Sequence, residues 1–317
     1  MFGVKPLFIS ELPTPNSELC EMAPFKAGFI SILGRPNVGK STLFNRILGD
    51  KIAIVTEKPQ TTRNRILGIK NVEGGQCIFL DTPGLHQGRS ELNRRMVQTA
   101  IASGQDADIL LLVIDASSPN VEKERQMIEP LEGMDGVAFL VINKMDLVKR
   151  EALSPIIDLY QKFNLFSKMI PLSALTGEGV DVLLDEILKA LPESPPYFPD
   201  EMITDQTERF LVSEMIREKV IQQSYQEIPY CTAVTVEEFK EHPDRNLVVI
   251  KGTIHVERNS QKKILIGKGG QKLRRIGEAA RKEIEAFLEK RVFLELWVSV
   301  EKDWTDNPRA LNELGYQ

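Results

Sequence analysis

Between residues 27 and 191 the chain alternates two rhythms. Short apolar runs at 29–33, 66–70, 77–81, 109–115, 137–143 and 169–173 are separated by stretches with apolar residues at helical spacing, near 40–48, 91–103, 121–132, 151–163 and 177–191. Runs such as Ile109-Leu110-Leu111-Leu112-Val113-Ile114 have no polar face, which predicts strands buried on both sides. The expected architecture is α/β, a mostly parallel six-stranded sheet between layers of helices. Glu73-Gly74-Gly75 joins two of the runs without a helix, so that pair is expected to form an antiparallel hairpin at the sheet edge.

The rhythm stops after Leu191. Pro192, Pro195, Pro196 and Pro199 crowd a short polar stretch, and 192–205 reads as a stiff interdomain linker that continues neither helix nor ladder. A smaller α+β domain is expected over 206–303. Its order is a helix (208–222), two strands (230–239 and 246–257), two helices parted by Gly267-Lys268-Gly269-Gly270, and a last strand (292–300). In that strand Val292, Leu294, Leu296, Val298 and Val300 alternate with Phe293, Glu295, Trp297 and Ser299, the pattern of one face on a core. Residues 1–26 form a Pro- and Glu-containing extension expected to be flexible, and 304–317 a tail.

A chain of 317 residues has room for two such domains, and 42% hydrophobic with 27% charged residues is a globular composition. No apolar run approaches the roughly 18 residues of a membrane helix. The apolar start is short and broken by Pro6, which argues against a cleaved signal peptide. Cys20, Cys77 and Cys231 are too few and too scattered for a disulfide framework or a zinc site, so a reducing cytoplasm is expected. A net charge of −5 argues against a whole-molecule nucleic-acid coat but leaves room for a local basic patch.

The first chemistry-bearing motif is Gly34-Arg35-Pro36-Asn37-Val38-Gly39-Lys40-Ser41, with Thr42 continuing into the predicted helix. A strand delivers the glycines and a helix N-terminus aims its free amides, so the loop is expected to wrap a nucleoside polyphosphate. Lys40 would reach the β/γ oxygens and Ser41 would ligate Mg²⁺. This loop alone leaves ATP and GTP open. Asn143-Lys144-Met145-Asp146, at the C-terminal end of the fifth run, decides for guanine: the Asp146 carboxylate can accept from N1–H and the 2-amino group, which adenine lacks. Ser173-Ala174-Leu175 is a weaker signal for a backbone amide at guanine O6. Asp81-Thr82-Pro83-Gly84 supplies the magnesium side: Asp81 would hold the ion's water shell and the Gly84 amide would reach the γ-phosphate. Thr61 and Thr62 lie in a polar connection. One of them, taken as Thr62, is expected to ligate Mg²⁺ only with the triphosphate, which makes the protein a switch.

Together these segments resemble the translation-factor-related GTPases, in particular the Era-like branch, over residues 28–191. Ras-type enzymes carry a water-orienting glutamine just after Asp-x-x-Gly. This chain has Leu85 there, as other Era-like GTPases do, so slow hydrolysis is expected. The resemblance also suggests Asn37 as a ligand of a catalytic potassium ion. His86 is a candidate base, or simply a loop residue, since phosphoryl transfer needs little base help.

In the second domain, two strands before and one after a Gly-x-x-Gly match the KH fold, whose loop clamps single-stranded RNA. Ile266, Gly267, Lys268, Gly269, Gly270, Lys272, Arg274 and Arg275 are the candidate contacts. Lys262, Lys263, Arg281 and Lys282 extend the basic run, against Glu278 alone. Trp297 and Trp304 are candidates to stack on bases or to pack. The tail, Trp-Thr-Asp-Asn-Pro-Arg-Ala-Leu, extends the Era-like resemblance almost to Gln317.

The resemblance implies GTP and GDP as ligands, the 3′ end of small-subunit ribosomal RNA and the 30S subunit as partners, and a role in that subunit's maturation. A monomer is expected, and the resemblance implies a weak peripheral association with the inner face of the cell membrane, for which the sequence offers no amphipathic anchor. A tRNA-modifying GTPase of the related branch is disfavoured by the KH-like segment and by the lack of a downstream catalytic cysteine motif. A constitutive RNA-binding module with a structural nucleotide site stays open.

Overall fold

The computed structural model describes residues 24–84, 90–129 and 136–316. Leu85, His86, Gln317, Cys20 and the first 23 residues of the expected extension lie outside the described residues.

The first domain contains β1 (Lys26–Leu33), α1 (Lys40–Leu48), β2 (Ile66–Val72), β3 (Gly75–Asp81), α2 (Glu91–Gln105), β4 (Ile109–Asp115), α3 (Val121–Ile128), β5 (Val137–Asn143), α4 (Leu153–Gln161), β6 (Lys168–Pro171) and α5 (Val180–Ala190). Its six-stranded sheet runs β2-β3-β1-β4-β5-β6, all parallel except the β2–β3 hairpin at the edge. Strands without a polar face are covered on both sides: Ile30, Ile32, Leu111 and Val113 face one buried cluster, and Leu112, Ile114, Leu140 and Ile142 face another. The C-terminal ends of β1, β3, β4 and β5 therefore open onto one rim.

The second domain contains α6 (Glu208–Gln222), β7 (Ala233–His242), β8 (Leu247–Val256), α7 (Asn259–Ile266), α8 (Gln271–Leu288) and β9 (Arg291–Val300), then α9 (Pro308–Glu313). β8 is central, antiparallel to β7 and parallel to β9. Val248, Ile250, Ile254 and Val256 alternate onto a core shared with Ile276, Ala280 and Ile284 of α8. Among the described residues, no helix is long and apolar enough to cross a membrane.

Several expectations need correction. β7 begins at Ala233 rather than 230, because Tyr230 and Cys231 turn back to the Glu227 carbonyl. β6 stops at Pro171, and the chain then bends so that Ser173 N–H reaches the Glu178 carbonyl. The Pro-rich segment 192–205 is not a spacer clear of the sheet. Glu193 and Thr204, neither a proline, make isolated antiparallel bridges to Lys26 and Gly68. Phe198 and Met202 cover Leu67, Ile69, Ile78 and Leu80, making the segment a strap across the outer sheet face.

Trp304 does not face solvent. It is fully buried, stacks on Tyr316 at 5.6 Å and donates from Nε1 to the Cys231 carbonyl at 3.1 Å, which removes it as a base-stacking candidate. Trp297 keeps 44% exposure on β9.

Candidate functional site

The loop between β1 and α1 carries Gly39 in a left-handed conformation (φ 99°), with no side-chain cap and no acid in the first turn of α1. The helix therefore presents uncovered amides and the positive end of its dipole to the rim. A Cβ at Gly39 would lie 2.3 Å from Asn143 Nδ2, so the loop and β5 touch where only glycine fits. Pro36, Asn37, Lys40, Ser41, Thr42, Thr62 and Gly84 line the small cavity at this helix end.

Lys40 arches back over its own loop, donating to the Gly34 and Arg35 carbonyls at 3.1 Å each. Burial lowers its pKa to about 8, with the Asp81 charge pulling the other way. The Arg35 side chain turns away from the cavity to the buried Glu124 carboxylate (2.6 Å) and the Ser118 carbonyl (2.6 Å). Asn37 donates to the Glu57 carbonyl at 2.7 Å.

Three oxygens meet beside Lys40. Ser41 Oγ is 2.8 Å from Thr62 Oγ1 and donates to Asp81 Oδ2 at 2.7 Å, and Thr62 Oγ1 donates to the same oxygen at 3.3 Å. Thr61 is directed elsewhere: its hydroxyl pairs with Thr56 Oγ1 (2.7 Å) and the Lys58 carbonyl (2.8 Å). Burial raises the Asp81 pKa to about 6, opposed by Lys40 and by the Ser41, Thr62 and Thr82 hydrogen bonds. Asp81 Oδ1 is buried without a hydrogen-bond partner among the described residues. An unpaired carboxylate oxygen among hydroxyls is a hard-oxygen set that fits Mg²⁺, directly or through water. Thr82 Oγ1 donates to the Ile32 carbonyl at 2.7 Å, and Pro83 is buried, so this turn is fixed against β1. It sets Gly84 against Pro36, with room for a Cβ only 3.0 Å from the Pro36 nitrogen.

On the other side of the loop, Asn143 is buried and bridges two segments. Its Nδ2 donates to the Val38 carbonyl at 2.8 Å and its Oδ1 accepts from Ala174 N–H at 2.9 Å. Lys144 takes a left-handed conformation (φ 64°) and pairs with Asp115 Oδ2 at 2.6 Å. Met145 N–H donates to the Leu172 carbonyl at 3.2 Å, which leaves Asp146 exposed on the rim. Ser173 and Ala174 are buried and Leu175 is exposed. A cavity of about 650 Å³, lined by Asn37, Gly39, Thr42, Lys58 and Lys144, continues from the loop toward Gln222 of α6.

A second concavity, about 500 Å³, lies in the other domain between α8 and β9, lined by Gly270, Leu273, Arg274, Gly277, Arg281 and Leu296 among others. Gly267, Gly269 and Gly270 all have positive φ (72°, 58° and 77°), turning the chain sharply from Ile266 into α8 with Lys268 at the bend. Among the described residues, nothing lies within 4 Å of a Cβ at Gly269 or Gly270, so a ligand backbone could approach closely there. Lys272 is half-buried and Arg275 is exposed, while Arg274 pairs on the surface with Glu278 at 2.9 Å.

Residues 29–144 match the family described as 50S ribosome-binding GTPase, and residues 227–305 match the KH domain. GTPase Era of Syntrophus aciditrophicus is 54% identical over 292 residues, covering 92% of this chain and 95% of its own. The chain belongs to the Era family of GTPases. GTPase Era of Geobacter metallireducens is 53% identical over 92% of this chain and 98% of its own. A crystal structure of Era in complex with MgGDPNP and nucleotides 1506–1542 of 16S ribosomal RNA superposes with a TM-score of 0.88 at 41% identity, covering 92% of this chain and 99% of that one. An Aquifex aeolicus Era variant bound to GDP and AlF4⁻ gives 0.87 at 42% identity, with the same coverages.

Several residues of this Era-family site carry little or no mark in the sequence. Asp115, at the end of β4, lies in register with Asn143 and holds Lys144; an acid closing an apolar strand was the available signal. Arg46 donates to the carbonyls of Ala174 (3.2 Å) and Leu175, an inward role that its place on α1 does not announce. The contacts of Lys58, Arg63 and Arg217 across the two domains left no local mark in the sequence.

Proposed function

We propose that this Era-family GTPase uses GTP to control binding of single-stranded RNA at the groove between α8 and β9, and that the RNA is the 3′ end of small-subunit ribosomal RNA. In this reading it assists maturation of the 30S subunit. The observation that supports it most is the joint presence, in one chain, of the Asn143–Asp146 rim beside a phosphate-binding helix end and a positive-φ Gly267–Gly270 turn beside a basic groove. A relative matching over nearly its whole length carries both MgGDPNP and a 16S ribosomal RNA segment. We assign the nucleotide domain to residues 27–191, the strap to 192–205, the KH-type domain to 206–303 and the tail to 304–317.

In this assignment the amides of the 34–42 loop and Lys40 bind the α-, β- and γ-phosphates. Asp146 reads guanine, Asn143 ties the loop to Ala174, and Lys144 packs along the loop under the hold of Asp115. Ser41 and Thr62, with Asp81 through water, would hold Mg²⁺, which supplies charge neutralisation at the β- and γ-phosphates. The Gly84 amide contacts the γ-phosphate. Leu85 cannot orient water, so turnover is expected on the order of minutes to hours per GTP. Asn37 is proposed as a potassium ligand, tested by comparing hydrolysis in potassium and sodium buffers.

The switch reading is tested by crosslinking to a single-stranded RNA of the 16S 3′ end with GDPNP, GDP or no nucleotide. Affinity that differs between nucleotide states supports control, since a switch requires differential binding. Equal affinities return the protein to a constitutive RNA-binding module. A Lys268→Asp, Gly269→Asp variant should lose the crosslinks and keep GTP hydrolysis; unchanged crosslinks reject the groove.

A further inference from the structure

Thr62 stands between two residues whose partners lie in the second domain. The Thr61 carbonyl accepts from Arg217 Nη2 of α6 at 2.5 Å. On the other side, the Arg63 guanidinium enters the turn before β7 and donates to the carbonyls of Pro229 (3.0 Å), Tyr230 (2.8 Å) and Thr232 (2.7 Å). Both arginines are buried, Arg217 at 1% and Arg63 at 4% exposure.

Their surroundings are built for orientation. Glu214 grips Arg217 in two parallel hydrogen bonds, Nε to Oε1 at 2.7 Å and Nη2 to Oε2 at 2.6 Å, which fixes the plane of the fork and aims Nη2 at Thr61. Arg217 Nη1 makes no hydrogen bond among the described residues. Arg63 lies 5.7 Å from the ring centroids of both Trp304 and Tyr316. Upstream, Lys58 donates to the Ile221 and Ser224 carbonyls at the end of α6 and lies 5.1 Å from the centre of the Tyr225 ring.

The segment held this way has little structure of its own. Residues 49–65, between α1 and β2, form neither helix nor strand. Ordering such a loop costs backbone entropy, and a side chain that must sit within tenths of an ångström of Ser41 and Asp81 cannot rely on its own strand ladder. The anchors at Lys58, Thr61 and Arg63 are supplied by the other domain, while the hydroxyl they place, Thr62 Oγ1, points into the nucleotide domain.

We propose that Arg63 and Arg217 are positioning residues for Thr62, forming an interdomain clamp without which the triphosphate-side contact of the nucleotide site is not preorganised. This rests on the assignment of Thr62 to the magnesium side of the triphosphate. The clamp acts on the triphosphate state and leaves the diphosphate state almost untouched, because Thr62 is the group it delivers.

The test uses the full chain and measures equilibrium affinity for GDPNP and for GDP, both with Mg²⁺, alongside single-turnover hydrolysis. Arg217→Met should lower GDPNP affinity about tenfold while GDP affinity stays within about twofold, and should slow hydrolysis in step. Arg217→Lys, which keeps a donor but loses the fork, should fall between wild type and Arg217→Met. In a Thr62→Val background, Arg217→Met should add nothing further, the signature of two residues acting through one contact. Equal losses of GDPNP and GDP affinity would make the arginine a general structural support and overturn the clamp, as would no change in either. If Thr62→Val leaves the GDPNP to GDP ratio intact, the Thr62 assignment fails first. If Thr62→Val collapses the ratio and Arg217→Met does not, the clamp alone fails. Arg63→Lys, which keeps the cation but cannot reach three carbonyls at once, gives the same readout should Arg63→Met not fold.

Discussion

Asn143 holds the Gly34–Ser41 loop to the Ser173–Leu175 turn: one amide group donates to the Val38 carbonyl at 2.8 Å and accepts from the Ala174 amide at 2.9 Å. Both partners are buried, so removing the side chain strands a carbonyl on one segment and an N–H on the other. Asn143→Ala should destabilise the fold by roughly 2 to 4 kcal/mol. It should also weaken GDP and GTP binding together, since it loosens the phosphate loop and the base rim at once. Chemical denaturation and nucleotide titration check the two parts. A loss of guanine binding with unchanged stability would mean that Asn143 acts on the ligand alone.

Asp146 offers a cleaner separation of base from phosphate recognition. It is exposed on the rim and holds none of the hydrogen bonds that join β5 to the loop, so Asp146→Asn should fold normally. Replacing one acceptor oxygen with an NH₂ sets a donor against a guanine donor. Guanine-nucleotide affinity should fall about a hundredfold. ATP, which has neither donor, should bind as weakly as to wild type. Competition binding with the two nucleotides decides it, and an equal loss for both would place Asp146 outside base recognition.

The buried Lys40 and Asp81, whose charges oppose each other's pKa shifts, predict a pH profile. Asp81 has its pKa raised to about 6, so its contribution to folding stability is full below the ordinary carboxylate range and is lost as pH rises through 6. Lys40 has its pKa lowered to about 8, so its contribution is present above the ordinary lysine range and is lost as pH falls through 8. Near neutrality both groups are charged and desolvated, and polyphosphate with Mg²⁺ favours that same state. Affinity for magnesium-bound GDP should therefore be flat between pH 6 and 8. It should fall by up to about tenfold per pH unit outside that window, as Asp81 takes up a proton at low pH and Lys40 loses one at high pH. Asp81→Asn should abolish the acid limb and raise the stability of the ligand-free protein at neutral pH. An acid limb that survives the substitution belongs to another group.

What was legible in advance divides along physical lines. The six strands, their burial on both faces and the Gly34–Ser41, Asp81–Gly84 and Asn143–Asp146 segments announce themselves, because local periodicity and backbone-specific chemistry leave marks within a few residues. The α-β-β-α-α-β order of the second domain is equally readable. Less visible are contacts made over long separation by ordinary residues. Trp304 has the same composition signal as Trp297, yet burial against Tyr316 and the Cys231 carbonyl is set by where the tail lands. Nothing local to Arg63 in its loop or Arg217 in its helix marks either as buried, and both become interior where the two domains meet. The prolines of 192–205 correctly signalled an end to regular structure, but prolines still accept hydrogen bonds, and the non-proline residues between them were free to pair with strand edges.

Gln76 is the residue that fixes this strap. It is fully buried on β3, and its amide is satisfied on every side that matters: Nε2 donates to Asn71 Oδ1 (2.9 Å) and the Phe198 carbonyl (2.9 Å), and Oε1 accepts from Tyr197 N–H (2.8 Å) and Phe198 N–H (3.0 Å). Three of those bonds reach across to the strap, and Tyr197 adds an edge contact to Phe29 at 5.2 Å. The strap leads directly into α6, whose Arg217 touches Thr61, so its path sets where α6 starts relative to the nucleotide site. Gln76→Ala should cost roughly 1 to 3 kcal/mol, because the amides of Tyr197 and Phe198 and the Phe198 carbonyl lose their partners at a half-buried seam. Gln76→Glu keeps the acceptor for Tyr197 and Phe198 but sets a buried carboxylate oxygen against the Asn71 and Phe198 oxygens, and should cost at least as much as Gln76→Ala. Limited proteolysis should show new cleavage within 193–205 in Gln76→Ala before global unfolding. If cleavage there matches wild type while stability drops, the strap is held by its apolar contacts and Gln76 supports only the hairpin.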